Sequence, residues 1–313
     1  MSTLIDFKSL HLSLHQAISG YEAGSIPHAL LIHGPAGVGK KTLAKILCMR
    51  LMCCAQDALK PCGRCDQCRR VEMGAHSNVL SPSRTAGSRS IKIEDLRKII
   101  EMLGRHGLES GARAVVIADA DEMTPQAQNA LLKSLEEPLE STYFLLTASG
   151  DRGILPTIRS RCSVLYIPPW DSDSILQVLN DNGISGRRAQ KLLDACDGSP
   201  GRALQMEKDS HFWDTAALVE ETFLYISKPV QLPSFSGKLR NVKEDADLIF
   251  SILENRVSRA MQADEGGQSS RKFSRLAQDI MIARKYRASN VAWQSIADRL
   301  LFQFMEEQPC QWS

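Results

Sequence analysis

An apolar run, "HALLIH" (28–33), stops at a glycine-rich turn, "GPAGVGKKT" (34–42). Beyond the turn, Leu43, Ile46, Leu47, Leu51 and Cys54 recur at three- and four-residue steps, as one face of a helix does. Strand, glycine loop and helix in that order give the spacing its meaning as a phosphate-gripping loop. Gly34, Gly37 and Gly39 would let backbone N–H groups wrap an anion, and Lys40 would reach its outer phosphates. Such a loop commits the first part of the chain to alternating strands and helices, hence to a parallel sheet covered on both faces.

One letter breaks the pattern. The position after the loop lysine normally carries Ser or Thr, whose hydroxyl seats Mg²⁺ between two phosphates. Lys41 stands there instead. An ammonium at that place repels the metal by several kcal/mol at an effective dielectric of about 20. Thr42 lies one residue on, about 100° around the helix, and is a poor substitute. Nucleotide binding stays open on this reading; metal-assisted hydrolysis does not.

Two further apolar runs, "AVVIA" (114–118) and "YFLLTA" (143–148), read as buried strands. Between them the sequence predicts a helix capped by Thr124, opened by Pro125, apolar at Ala127, Ala130, Leu131 and Leu135, and ended by Pro138. Asp119 follows the first of these strands as a metal-binding acid would. The next residue, where a glutamate commonly polarises the attacking water, is Ala120. Asp121 and Glu122 read as a solvated turn, with Glu122 as a displaced base the lesser alternative.

"PCGRCDQC" sets Cys62, Cys65 and Cys68 at metal-ligand spacing, with Cys53 and Cys54 upstream. A fourth thiolate would close a structural zinc site. On a helical wheel centred on Leu47, Cys54 falls about 20° away and Cys53 about 120°. This predicts Cys54 in the core and Cys53 as the ligand. An iron–sulfur cluster is the rival, but its bacterial run would need a cysteine where Glu72 stands. Cys48, Cys162, Cys196 and Cys310 are isolated, and neither His33 nor His76 has ligand spacing.

The opening "MSTLIDFKSLHLSLHQ" lacks the features of a secretory signal, and no apolar run approaches the ~20 residues that span a bilayer. The expected compartment is the cytosol, where nine cysteines stay reduced and clustered ones favour metal. A net charge of +2, from 38 basic and 36 acidic residues, does not mark a nucleic-acid binder. From "IPPW" (167–170) onward only helices are legible. These are "DSDSILQVLNDNG", "RAQKLLDACDGSPG", 244–262 and 272–306, with 227–240 read as a linker.

"NALLKSLEEPLESTYFLLTASGDRGILPTIRSRC" (129–162) closely resembles the clamp-loader branch of the AAA+ superfamily. The resemblance is strong over 1–168, moderate over 169–207 and weak beyond. It implies an α/β fold: a RecA-like AAA+ P-loop domain (1–168) with a four-cysteine zinc module at about 53–68, a small helical lid (169–207) and an all-helical collar (208–313). It also implies a place in a five-subunit ring with gamma/tau-type motor subunits and a clamp-opening delta subunit, acting on a sliding clamp and primed DNA for DNA polymerase III. Arg161, in "SRC", would be the arginine finger offered to ATP on a neighbouring motor; Arg159 would be structural. Thr147 falls at the sensor-1 position, and Arg202 is displaced by one from the sensor-2 place. The implied function is a non-hydrolysing subunit that completes the ring. An active ATPase subunit and a zinc-dependent nucleic-acid-binding module with a vestigial loop are the alternatives.

Overall fold

β1 (Ala29–His33), β2 (Val79–Leu80), β3 (Arg113–Ile117), β4 (Thr142–Ala148) and β5 (Ser163–Tyr166) pair in one parallel sheet, in the order β2-β3-β4-β1-β5. The computed structural model describes residues 25–55, 61–83, 90–104, 111–150, 153–224, 226, 228–263 and 270–307. The readings made on residues 1–16 and on Cys310 lie outside them. The described residues divide into two compact units, one ending at Trp170 and the other starting at Asp171. None of the described helices is long and apolar enough to cross a membrane.

In the first unit the three central strands are the apolar runs read from the sequence. Strands buried on both faces cannot alternate with polar residues, and Leu30, Ile32, Leu145 and Leu146 are fully buried. The sequence did not reveal β2 and β5. Both are edge strands; one has two residues, and the other is short and largely exposed, its apolar run at 164–167 ending directly at Pro168 and Pro169. The covering helices are α1 (Lys40–Met52), α2 (Asp66–Glu72), α3 (Ile93–Gly104), α4 (Pro125–Glu136) and the single turn α5 (Pro156–Arg159). The Thr124 hydroxyl caps α4 by accepting the Ala127 N–H at 3.2 Å, as expected. This is the RecA-like AAA+ arrangement that the resemblance implies.

The second unit is helical: α6 (Ser172–Asp181), α7 (Gly186–Ala195), α8 (Pro200–Glu207), α9 (Ser210–Val219), α10 (Leu232–Leu239), α11 (Ala246–Ala263), α12 (Ser270–Ala288) and α13 (Trp293–Glu306). Two expectations fail here. The supposed linker 227–240 holds α10, with Pro233 in its first turn, where no intrahelical donor is needed. Its Phe235 and Leu239 are buried. The single helix over 272–306 is two. Asn290 turns left-handed (φ 59°), and the Val291 N–H reaches the Tyr286 carbonyl at 3.0 Å, closing α12.

Asp194, at the end of α7, is buried and receives Arg256 and Arg259 from α11. Asn255 adds its amide to the Asp194 carbonyl at 2.8 Å and to the Asp197 carboxylate at 2.9 Å. Removing one partner of a buried ion pair strands the other charge, at a cost of about 3–5 kcal/mol. Asp194→Ala is expected to destabilise this unit by that amount in urea unfolding. A loss below about 1 kcal/mol, the value of a solvent-screened pair, would contradict it.

Candidate functional site

Strand register assembles the phosphate site. His33 lies opposite Ala148, Ile32 opposite Thr147, and Ile117 opposite Leu146. The carboxyl ends of β1, β3 and β4 therefore stand side by side, at the edge where parallel sheets bind ligands. The glycine loop leaves β1 there and enters α1 through Gly39, which is left-handed (φ 102°). Gly34 passes so close to the chain after β5 that a Cβ on it would lie 2.1 Å from the Ile167 carbonyl oxygen. From the same segment the Trp170 indole N–H donates to the Val38 carbonyl at 3.1 Å, pinning the loop from outside.

Lys40 is buried and folds back into its own loop. Its ammonium donates to the Gly34 carbonyl at 2.7 Å and the Pro35 carbonyl at 2.6 Å. Burial lowers its pKa, and Lys41 adds to that effect. Asp121 and Asp119 oppose it.

Lys41 holds the decisive contact: its ammonium lies 2.7 Å from an Asp119 carboxylate oxygen. The residue that displaces the metal-seating hydroxyl thus engages the acid that would bind the metal. Thr42, half-buried, comes one residue later. Asp119 is left-handed (φ 55°), and its N–H donates to the Thr147 hydroxyl oxygen at 3.1 Å, so fully buried Thr147 fixes the acid's backbone. Ala120 is fully buried and packs in the core beneath.

Asp121 is not the solvated turn residue expected. One of its carboxylate oxygens accepts the Ser149 N–H at 3.0 Å, while the other is buried without a hydrogen-bond partner among the described residues. Glu122 is half-buried, and its carbonyl accepts the Ile91 N–H at 3.0 Å.

The second cluster is Cys53, Cys62, Cys65 and Cys68, whose sulfurs all lie within 4.8 Å of one another. Each of three sulfurs accepts a backbone N–H at 3.4 Å: Cys53 from Cys62, Cys62 from Cys65, and Cys65 from Cys68. Four thiols gathered this closely suit one tetrahedral ion, for which Zn–S bonds of about 2.3 Å put sulfurs ~3.8 Å apart. The set is compatible with zinc, and it forms without position 72. Burial works against ionising Cys65, yet N–H donors at Cys68 and Cys54 and the neighbouring thiols prevail and bring it to about 6. Burial instead pushes Cys48 up to about 12 and Cys162 to about 11.

Cys53 joins the cluster, but not for the reason given by the wheel. α1 ends at Met52 and Cys53 is extended, so the wheel does not reach either cysteine. Cys53 is the buried one of the pair, and Cys54 is exposed.

Arg161 follows α5 at the rim. Its Nε–H donates to a Glu136 carboxylate oxygen at 2.6 Å, its Nη2 joins the same oxygen, and its Nη1 donates to the Thr157 carbonyl at 2.9 Å. Glu136 is the last residue of α4. Arg159 ends α5 and is exposed; this stretch is a helical turn opened by Pro156. Buried Gln128 of α4 also holds the approach. Its amide nitrogen donates to the Gly153 carbonyl at 2.6 Å and its oxygen accepts the Leu155 N–H at 2.7 Å. Arg202 in the second unit pairs with Asp197. Sequence reasoning missed Trp170, Gln128 and Glu136; only Glu136 had a signal, as part of "SLEEP".

A profile described as DNA polymerase III, delta subunit, matches residues 12–171. DNA polymerase III subunit delta′ of Haemophilus influenzae is 30% identical over 261 residues, covering 81% of this chain and 78% of that protein. The Yersinia pestis subunit delta′ is 39% identical over 173 residues, 55% of this chain and 50% of that one. DNA polymerase III subunit tau of Escherichia coli is 32% identical over 194 residues, 60% of this chain and 30% of that one. The match thus spans about half the length of the Yersinia relative and less than a third of the tau subunit. With the profile over half of its length and the Haemophilus relative over most of it, the chain belongs to the DNA polymerase III delta′ subunit family.

Proposed function

We propose that this chain is a clamp-loader subunit that hydrolyses no ATP itself and serves the ATP of a neighbour. The ammonium of Lys41 on the Asp119 carboxylate, at 2.7 Å, carries the reading. A divalent cation would need that carboxylate and a hydroxyl, and here both places are spoken for by one lysine. With Ala120 in place of a carboxylate, no base at that position activates water. Lys40 and the loop N–H groups leave nucleotide binding open.

The subunit completes a five-membered ring with gamma/tau-type motor subunits and a delta subunit, and loads a sliding clamp onto primed DNA for the polymerase. Residues 1–168 supply the nucleotide-domain face, 169–207 the lid and 208–313 the collar that joins the ring. Arg161 is the finger in trans. A guanidinium set against a transferring phosphoryl neutralises developing charge and contributes ~10³–10⁵ in rate in related NTPases. Cys53, Cys62, Cys65 and Cys68 hold one structural zinc, which stiffens the turn after α1 and takes no part in chemistry.

The purified chain alone is expected to show no Mg²⁺-dependent ATP turnover, while a ring reconstituted with motor and delta subunits turns ATP over when primed DNA is added. Arg161→Ala should assemble normally and lose hydrolysis at the neighbouring site. Robust turnover by the lone chain, or an Arg161→Ala ring as fast as the unaltered one, would sink this reading.

For the metal, Cys65→Ser is expected to reduce bound zinc from one ion per chain to a small fraction and to lower the melting temperature of the first unit. The loss can be large, since zinc binding is worth roughly 10–16 kcal/mol in small zinc peptides. Elemental analysis of the unaltered protein decides it: chains purified without chelator and carrying no zinc refute the assignment.

A further inference from the structure

We propose that Glu136 is a positioning residue for Arg161, an inference that rests on the trans-finger reading above. Arginine carries five N–H donors in a rigid planar fork. Three of its nitrogens are already engaged within the chain. Nε and Nη2 both meet one Glu136 carboxylate oxygen, and Nη1 meets the Thr157 carbonyl at 2.9 Å, with the Ser160 hydroxyl a looser partner at 3.4 Å. Glu136 grips the Nε edge and Thr157 one terminal nitrogen. That leaves one N–H on Nη2, and a second on Nη1 once the loose Ser160 contact is released, to meet phosphate oxygens.

The grip itself has a rigid base. Glu136 closes α4, which Leu131 and Leu135 anchor in the core. Thr157 belongs to α5, whose Ile158 is fully buried, and the loop leading to α5 is tied to α4 through Gln128 at Gly153 and Leu155. Both anchors of the guanidinium thus belong to elements joined to the same helix. The pair is too open to stabilise the fold: Arg161 is 33% exposed and Glu136 47%. An exposed ion pair contributes little to stability. Its effect is on order. A long side chain held in one rotamer before assembly does not have to be frozen when it meets a neighbour's nucleotide, and small misplacements of such groups cost up to about 10²-fold in rate.

The test is the DNA-stimulated ATPase of the reconstituted ring with Glu136→Ala, Glu136→Gln, Arg161→Ala and the double variant. Glu136→Ala is expected to lower kcat about tenfold, with KM for ATP changed less than about twofold. Glu136→Gln, which keeps a carbonyl acceptor for Nε–H, should recover most of that loss. In the Arg161→Ala background Glu136→Ala should do nothing further, because its whole effect passes through the arginine.

If Arg161→Ala slows the ring and Glu136→Ala does not, the positioning role is refuted and the finger survives. If neither matters, the finger reading has failed. A Glu136→Ala ring that turns over faster would mean the carboxylate parks the arginine, which also overturns the proposal. So would failure of both Glu136 variants to assemble, or a full further loss in the double variant, since each marks a structural role.

Discussion

The ion pair between Lys41 and Asp119 joins the glycine loop's helix to the acid that follows β3. Lys41 enters α1 one residue after the loop lysine and closes on Asp119 at 2.7 Å, joining α1 to the end of β3. The contact is modest as a source of stability, because the lysine side chain is 63% exposed. Its consequence is chemical. A carboxylate with an ammonium on it is a poor ligand for Mg²⁺, and the nearest alternative acid, Asp121, spends one oxygen on the Ser149 N–H. The loop keeps its phosphate-wrapping shape while its metal seat is taken up by the protein's own cation.

That loop shape rests on contacts from distant parts of the chain. Gly34 lies against the Ile167 carbonyl and Val38 is held by Trp170, both from the segment that follows β5. Thr147, at the end of β4, sets the backbone of Asp119, at the end of β3. These residues meet because parallel pairing aligns the strand ends, and in such a sheet a one-residue slip would turn every side chain to the opposite face. The site's architecture is therefore set by strand register and not by Lys41 or Ala120.

Much of this was legible where it depends on local pattern. Three buried strands, the capped helix after Thr124 and the clustered cysteines all follow from periodicity, capping and spacing. What failed depends on the rest of the fold. β2 and β5 are short edge strands, β5 largely exposed and followed at once by two prolines, and 227–240 hides a helix because Pro229 and Pro233 read as breakers, although Pro233 sits in a first turn. Asn290 splits 272–306 with a left-handed residue that interrupts no apolar pattern strongly enough to be noticed. The cysteine pair is instructive: the wheel chose Cys53 by projecting a helix past its true end at Met52, so the cysteine that joins the cluster was picked from a geometry that does not exist. Gln128 and Trp170 were invisible because each acts through long-range hydrogen bonds, which leave no periodic mark.

Two basic side chains in this unit answer to opposite constraints. Lys41 is paired with the acid of its own pocket, at the carboxyl ends of the strands, so its charge is used up locally. Arg161 is also paired, with Glu136, but at the rim and through one edge of a flat fork that has donors to spare. An ammonium is a point charge on a flexible stem and presents no second edge; a guanidinium can be gripped from one side and still offer the other. That difference in shape lets one chain hold an ammonium on its own Asp119 and keep a guanidinium with donors to spare at Arg161. It also locates the demand for precision in α4, whose Gln128 ties the approach to Arg161 and whose Glu136 ends beside its guanidinium.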